Sequence, residues 1–173
     1  MTRLQFDVLR EFRRFGIRFL VAGGQAMRAY GIDRQTRDLD LWVARDRVNA
    51  EALRRFMGRV QHLPPLERLQ QPNFKFTVGD PAMPDVDILT SLAGDPPFDE
   101  AFERRRRLFI DGQPLPVVSP TDLLAIKEAS AAKMESEAVD NALPELERNQ
   151  AARTAAKERR DATLIQDFLA GGD

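Results

Sequence analysis

The sequence contains no cysteine and only one histidine, His62. The absence of cysteine excludes disulfides, thiolate zinc sites and cysteine nucleophiles, and a lone histidine excludes metal sites built on two imidazoles. His62 lies beside a proline pair in the segment RVQHLPP, which is typical of a surface loop. Any chemistry must therefore depend on carboxylates, lysine, arginine or hydroxyl groups.

Long apolar runs and a strong excess of one charge are also missing. The first residues, MTRLQFDVLREF, are charged from the third position, and no segment approaches the length of a membrane span. We therefore expect a cytoplasmic protein with no membrane association. The formal net charge of −1 argues against a general polyanion binder. The four arginines at 104–107 are a local exception, most typical of a solvated helix face, although they could contact phosphate.

Hydrophobic spacing predicts several strands. The segments IRFLVA, DLDLWV, NFKFTV and DVDILT each have strand character, and RLFIDGQPLPVV predicts a hairpin that its two prolines confine to a sheet edge. The other periodic segments predict helices: near the N-terminus, after Gly23-Gly24, after Asp46, and from Ser119-Pro120 to about Leu169 with a break near Pro144. This order predicts an α+β or α/β fold, with a mixed twisted sheet and helices packed on it.

The length of 173 residues suits one domain with one core. We expect an α/β core at 1–118 and C-terminal helices at 119–173 that pack on the same domain.

Two carboxylates interrupt the predicted strand DLDLWV. Residues two apart in a strand project from the same face, with Cα atoms roughly 6.6 Å apart, so Asp38 and Asp40 share a face. Burying two unpaired carboxylates would cost several kcal/mol each. A divalent cation removes that cost, and magnesium prefers oxygen ligands.

A third carboxylate, Asp87, lies between Val86 and Ile88 in a later predicted strand. Three carboxylates that converge from adjacent strands can hold two metal ions about 3.5 to 4 Å apart. Asp85 has the same strand parity but follows Pro84 at the start of the strand, so we favour Asp87. The alternative for both acidic segments is a pair of edge strands with solvated faces.

The glycine pair Gly23-Gly24 ends one predicted strand and begins a short helix. Backbone N–H groups without a side chain in the way can approach a phosphate at a helix N-terminus, although a glycine pair also suits a tight turn. Arg34 and Arg37 flank the entry to the acidic strand. Each could neutralise a phosphate or form a surface salt bridge.

This arrangement resembles the nucleotidyltransferase superfamily with a DNA polymerase beta-like fold. The matching features are an apolar strand ending in Gly23-Gly24, thirteen intervening residues, Asp38 and Asp40 among apolar residues, and Asp87 between apolar residues. The resemblance implies that Asp38 and Asp40 bind two Mg²⁺ ions, that Asp87 helps to activate the attacking hydroxyl, and that the glycine pair contacts nucleotide phosphates. It implies transfer of a nucleoside monophosphate from an NTP such as ATP to an acceptor hydroxyl, with release of pyrophosphate.

The sequence is most similar to small bacterial members, including abortive-infection toxin-like nucleotidyltransferases. In these proteins an R-x-T-x-D run, here Arg34, Thr36 and Asp38, precedes the acidic strand. They also tend to carry a helical lysine after the core and an Arg-Asp pair near the C-terminus, which Lys127 and Asp161 resemble. The resemblance implies that Lys127 offsets phosphate charge and that Asp161 orients a basic side chain or the acceptor; an ordinary solvated helix lysine is the alternative for Lys127.

The acceptor remains open among RNA, a protein hydroxyl and a small molecule, and the toxin-like members suggest a cognate partner protein. The alternative function is an inactive nucleotidyltransferase-like binding module, such as an antitoxin-like partner that contacts protein or RNA through the charged helical segment 145–160. The three intact aspartates favour the enzyme.

Overall fold

A computed structural model describes residues 1–59, 64–80 and 83–171, so the predicted loop at His62 lies outside the described residues. The elements follow this order: α1 (Arg3–Arg14), β1 (Phe19–Ala22), α2 (Gly23–Ala29), β2 (Leu39–Val43), α3 (Arg47–Met57), α4 (Leu66–Leu69), β3 (Lys75–Asp80), β4 (Met83–Leu89), α5 (Phe98–Arg104), β5 (Arg106–Ile110), β6 (Gln113–Val117), α6 (Pro120–Val139) and α7 (Glu145–Ala170). The chain divides into two compact units, Met1–Ser119 and Pro120–Asp173. No helix in the described ranges is long and apolar enough to cross a membrane.

The first unit contains a six-stranded mixed sheet in the order β3-β4-β2-β1-β6-β5. β1 pairs antiparallel with β2, and β2 pairs parallel with β4. The hairpins β3-β4 and β5-β6 are antiparallel and form the two ends of the sheet. The prediction of a mixed sheet with helices in the α+β class is therefore confirmed.

The core of this unit is aromatic and aliphatic. Phe12 of α1 makes edge-to-face contacts with Phe19 of β1 and Phe56 of α3, with ring centroids 5.4 and 5.1 Å apart. Trp42 of β2 makes an edge-to-face contact with Phe98 of α5, with ring centroids 5.0 Å apart. Trp42 directly precedes Val43, the register partner of Phe19, so Trp42 and Phe19 point to opposite faces of the sheet. Because successive side chains alternate between the faces of a strand, helices cover parts of both faces of the sheet.

Local sequence signals explain the ends of several helices. Thr2 and Gln5 form a reciprocal capping box at the start of α1. Asp46 accepts a hydrogen bond from the backbone N–H of Asn49 and caps α3, as predicted. α6 begins at Pro120 and α7 begins directly after Pro144, so the predicted helix start and break are both confirmed.

The hairpin prediction was correct, but the strand that carries the two prolines is internal. β6 lies between β1 and β5, and β5 is the edge strand. β6 pairs along its length with β5, whereas its register with β1 contains the single pair Val21 and Val117. Proline has no N–H to donate, which is consistent with the short ladder on the β1 side.

Two further expectations need correction, and two short helices were not expected. The arginines at 104–107 do not form a helix face, because α5 ends at Arg104 and β5 begins at Arg106. β2 begins at Leu39, so Asp38 lies immediately before the strand and not within it. The short helices α4 and α5 have no predicted counterpart.

The second unit contains α6 and α7. The pairs Glu128 with Gln166 and Glu135 with Arg159 join the helices and indicate an antiparallel arrangement. Arg159 binds Glu135 through two hydrogen bonds of 2.7 Å, and this contact lowers the pKa of the Glu135 carboxyl below its ordinary value.

Candidate functional site

Two of the predicted site carboxylates are register partners. Asp40 on β2 is paired with Asp87 on the parallel neighbour β4, and on its other side it is paired with Ala22 at the end of β1. Paired residues on adjacent strands point to the same face, with backbones about 4.8 Å apart. Asp40 is half-buried, and Asp87 is buried with 7% of its surface exposed. The sheet therefore brings these two side chains together on one face.

Asp87 has two partners on β3, which sequence reasoning missed. Thr77, its register partner, donates a hydrogen bond of 2.6 Å from its hydroxyl to Asp87 Oδ1. Lys75 Nζ lies 2.7 Å from Asp87 Oδ2. The alternation of NFKFTV signalled that Lys75 and Thr77 share a face, but only the strand order shows that this face carries Asp87.

The glycine pair meets the acidic strand through specific side chains. Gly23 has a positive φ of 60° and begins α2. A Cβ on Gly23 would overlap Asp40 Oδ2, so the carboxylate lies directly against the glycine backbone. Glycine is required here both by the left-handed backbone conformation and by this close approach.

Gly24 has a different neighbour. A Cβ there would lie 2.7 Å from Cβ of Thr36, in the segment before β2. Thr36 belongs to the R-x-T-x-D run, so this run packs directly on the glycine pair. The contact accounts for glycine at position 24 without a ligand.

The segment before β2 carries the other predicted nucleotide-binding residues. Asp38 is half-buried and directly precedes the strand. Arg34 is half-buried and Arg37 is exposed, and each takes part in interactions within the protein. Nη1 of Arg34 donates to the backbone carbonyl of Gln35.

Gln5, which sequence reasoning also missed, fixes the backbone on both sides of the acidic pair. Its side chain is fully buried, and its Nε2 donates to the carbonyls of Arg37 at 2.7 Å and Asp85 at 2.9 Å. Its Oε1 accepts from the backbone N–H of Thr2 at 2.9 Å. One amide of α1 thus ties the residue before Asp38 to the strand that carries Asp87.

The second unit brings together the two predicted residues Lys127 and Asp161. Lys127 Nζ lies 3.0 Å from Asp161 Oδ2 and 2.9 Å from Glu158 Oε2. All three side chains are buried, with exposed fractions of 8, 2 and 8% for Lys127, Asp161 and Glu158. Lys127 is therefore not a solvated surface lysine, and Glu158 is a partner that the sequence motif did not indicate. Whether this set acts with Asp40 remains a prediction.

The donor chemistry of the acidic face suits a hard cation. The candidate ligands are carboxylate oxygens, which Mg²⁺ prefers. Within the described part of the chain, no three or more His, Cys, Asp or Glu side chains are grouped so as to hold a metal ion. Asp87 is also paired with the Lys75 ammonium and accepts a hydrogen bond from Thr77.

A family model described as "Nucleotidyl transferase of unknown function (DUF2204)" matches residues 2–167. This match covers both compact units and includes every candidate site residue. A comparison with curated proteins found no match to the sequence.

Proposed function

Because the chain belongs to this nucleotidyl transferase family, we propose that it transfers a nucleoside monophosphate from an NTP to an acceptor hydroxyl. The observation that best supports the proposal is the register pair of Asp40 and Asp87, with Gly23 against Asp40. The acceptor oxygen forms a bond to the α-phosphorus, and the bond from that phosphorus to the bridging oxygen of the β-phosphate breaks. Pyrophosphate leaves with the bonding electrons, and the hydroxyl proton passes to Asp87.

We assign magnesium to Asp38, Asp40 and Asp87 on the basis of their oxygen donors, the shared sheet face of Asp40 and Asp87, and the position of Asp38 directly before β2. Bound as a pair of ions, magnesium supplies positive charge at the triphosphate and the leaving pyrophosphate. Asp87 contributes to such a site only if its carboxylate exchanges the Lys75 ammonium for the metal, since that contact neutralises it at 2.7 Å. Lys75 is 56% exposed, so its side chain has room to move away.

The remaining residues bind and orient the substrates. The backbone of Gly23 and Gly24 would contact the triphosphate, and Arg34 and Arg37 would neutralise part of its charge. Lys127 would offset phosphate charge as well. Asp161 would orient Lys127, which it contacts at 3.0 Å. We take ATP as the nucleotide substrate. The resemblance to toxin-like members extends the proposal to a toxin-like role with a cognate partner protein.

The test is transfer of label from α-labelled ATP, GTP, CTP or UTP, with Mg²⁺, to total RNA or cell protein. Asp40→Asn should abolish transfer while the protein stays folded, because it removes a metal-binding charge and keeps the side-chain shape. Asp7→Asn is the matched control, since Asp7 lies on α1 and pairs with Arg10. It should transfer as the wild type does.

Full transfer by Asp40→Asn would reject the assigned carboxylates. An inactive binding module, the alternative function, predicts no transfer by any of the three proteins. It also predicts no change in thermal stability with Mg²⁺ and NTP together, whereas a ligand that binds only the folded state raises it.

A further inference from the structure

A groove separate from the acidic pair lies between the end of α5 and the β5-β6 hairpin. Its cavity has a volume of about 370 Å³. Six of the residues that line it are Arg13, Phe102, Arg105, Arg107, Pro114 and Pro116, which we call the arginine groove. Arginine, phenylalanine and proline make up the lining, and none of the described lining residues is acidic.

The arginines of the groove are held in different ways. Arg13 donates to the Gln113 side chain at 2.9 Å and to the Pro114 carbonyl at 3.0 Å. Arg105 stacks on Phe102, with its guanidinium carbon 4.0 Å from the ring centroid. Arg107 is exposed and forms no ion pair within the described ranges. Arg13 and Arg105 are thus positioned in advance, and Arg107 has an unneutralised guanidinium.

Two of the three carboxylates of α5 are paired with arginines outside the groove, and the third, Glu103, forms no ion pair within the described residues. Asp99 forms an ion pair with Arg18, and Glu100 forms one with Arg104. The groove therefore presents positive charge that an anionic ligand can neutralise.

Sheet parity places four lining or neighbouring residues of β5 and β6 on the same face as the acidic pair, whereas Phe19, which also lines the groove, has the opposite parity. Arg107 is paired with Pro116 and Phe109 with Pro114, and paired residues share a face. Val117 is paired with Val21, so Pro116 and Ala22, which are each one residue away, point to the same opposite face. Ala22 is the register partner of Asp40. β5 is three strands from β2, about 14 Å across the sheet.

Phe109 adds an aromatic surface beside the charge. Its side chain is 71% exposed on the edge strand β5 and points to the same face as Arg107, two residues earlier. Sites for single-stranded RNA combine aromatic or guanidinium planes, on which unpaired bases stack, with arginines that bind phosphates. An acidic peptide would use the charge but not the aromatic ring.

We propose that the arginine groove and Phe109 bind a single-stranded segment of RNA, and that RNA is the acceptor of the transfer. The second part rests on the proposed function. Phosphates bind Arg107 and Arg13, and a base stacks on Phe109. β5 and β2 are separated by at least about 14 Å, so the bound segment and the reacting hydroxyl would belong to different parts of one RNA.

The experiment measures binding of a labelled single-stranded RNA oligonucleotide by fluorescence anisotropy, without NTP. Phe109→Ser should raise Kd about fivefold or more, because stacking on an aromatic side chain is lost. Arg107→Gln should raise Kd and reduce the slope of log K against log salt by about one. Arg10→Gln, on an exposed face of α1, is the control and should change Kd less than about twofold.

Several outcomes overturn the inference: no RNA binding by the wild type, unchanged binding by both groove variants, or equal competition by a polyglutamate peptide. Phe109 and Arg107 are exposed, and circular dichroism of each variant verifies the fold. RNA binding without transfer to any acceptor would reject the proposed function and keep the groove. Transfer to an acceptor other than RNA would keep the function and reject RNA as its acceptor.

Discussion

At Asp87, three side chains from two strands form one connected set. Thr77 donates to one carboxylate oxygen, and Lys75 lies within 2.7 Å of the other. A buried carboxylate needs such compensation, because an uncompensated charge in the interior is costly. The lysine thus supplies at Asp87 the positive charge that magnesium would supply in the proposed metal site.

Replacement of Lys75 tests this exchange. Lys75→Met should lower stability in chelator by about 1 to 3 kcal/mol, because it leaves the buried Asp87 carboxylate without its cation while Thr77 still donates to it. It should also enlarge the rise in Tm caused by Mg²⁺, since the metal no longer competes with the ammonium. Thermal unfolding with chelator and with Mg²⁺ measures both, and Lys133→Met, an exposed lysine on α6, is the control. A Mg²⁺ response equal to that of the wild type would contradict the exchange.

Gln5 supports the acidic pair from the backbone side. Gln5→Leu would leave the carbonyls of Arg37 and Asp85 without their donor, and we expect a total loss of about 1 to 3 kcal/mol because both hydrogen bonds are part-buried. Denaturant unfolding should show this loss of stability, and Gln35→Leu, at an exposed position, should not. A stability equal to that of the wild type would show that the two hydrogen bonds are not needed to hold the segment before β2.

At the scale of elements, strand order decides which side chains meet. Alternation in the sequence predicted the faces of the acidic strands, but a strand's neighbours depend on long-range pairing. Lys75 and Thr77 could be assigned to a face of β3, yet their contact with Asp87 follows only from the β3-β4 register. In the same way, the sequence predicted a phosphate contact at Gly24, and the structure adds a neighbour, Thr36, that the sequence did not indicate.

Strong local signals, by contrast, predicted elements well. Caps and prolines placed the starts of α3, α6 and α7, because these signals act within a few residues. The position of β6 could not be read in this way, since its prolines limit pairing with β1 without preventing it. α5 was missed although Phe98 packs on Trp42, because a seven-residue helix has too little periodicity to recognise.

The pair of helices α6 and α7 depends on a buried charge set. Lys127→Met would leave the carboxylates of Glu158 and Asp161 buried without their shared cation. Breaking a buried ion pair by removing one partner costs about 3 to 5 kcal/mol. Chemical denaturation should show a loss of this size, far above that of Lys133→Met, whose pair with Glu137 is exposed. A loss below about 1 kcal/mol would show that Lys127 does not stabilise the helix pair and would favour a role reserved for substrate.

At the scale of the whole molecule, the family match spans both compact units. The first unit carries the sheet, the acidic pair and the arginine groove. The second carries the Lys127 set. Family membership supports nucleotidyl transfer as the general activity, and the residues that perform it are the part of the account open to direct measurement.

The most direct measurement counts two products of one reaction. With Mg²⁺, an α-labelled NTP and RNA, the wild type should attach one labelled nucleoside monophosphate for each pyrophosphate released, because the bond that forms and the bond that breaks share one phosphorus. Asp40→Asn should give neither product, and Asp7→Asn should give both in equal amounts. Absence of labelled acceptor and pyrophosphate with all four NTPs, from a folded protein that binds RNA, would contradict the account; so would full activity of Asp40→Asn.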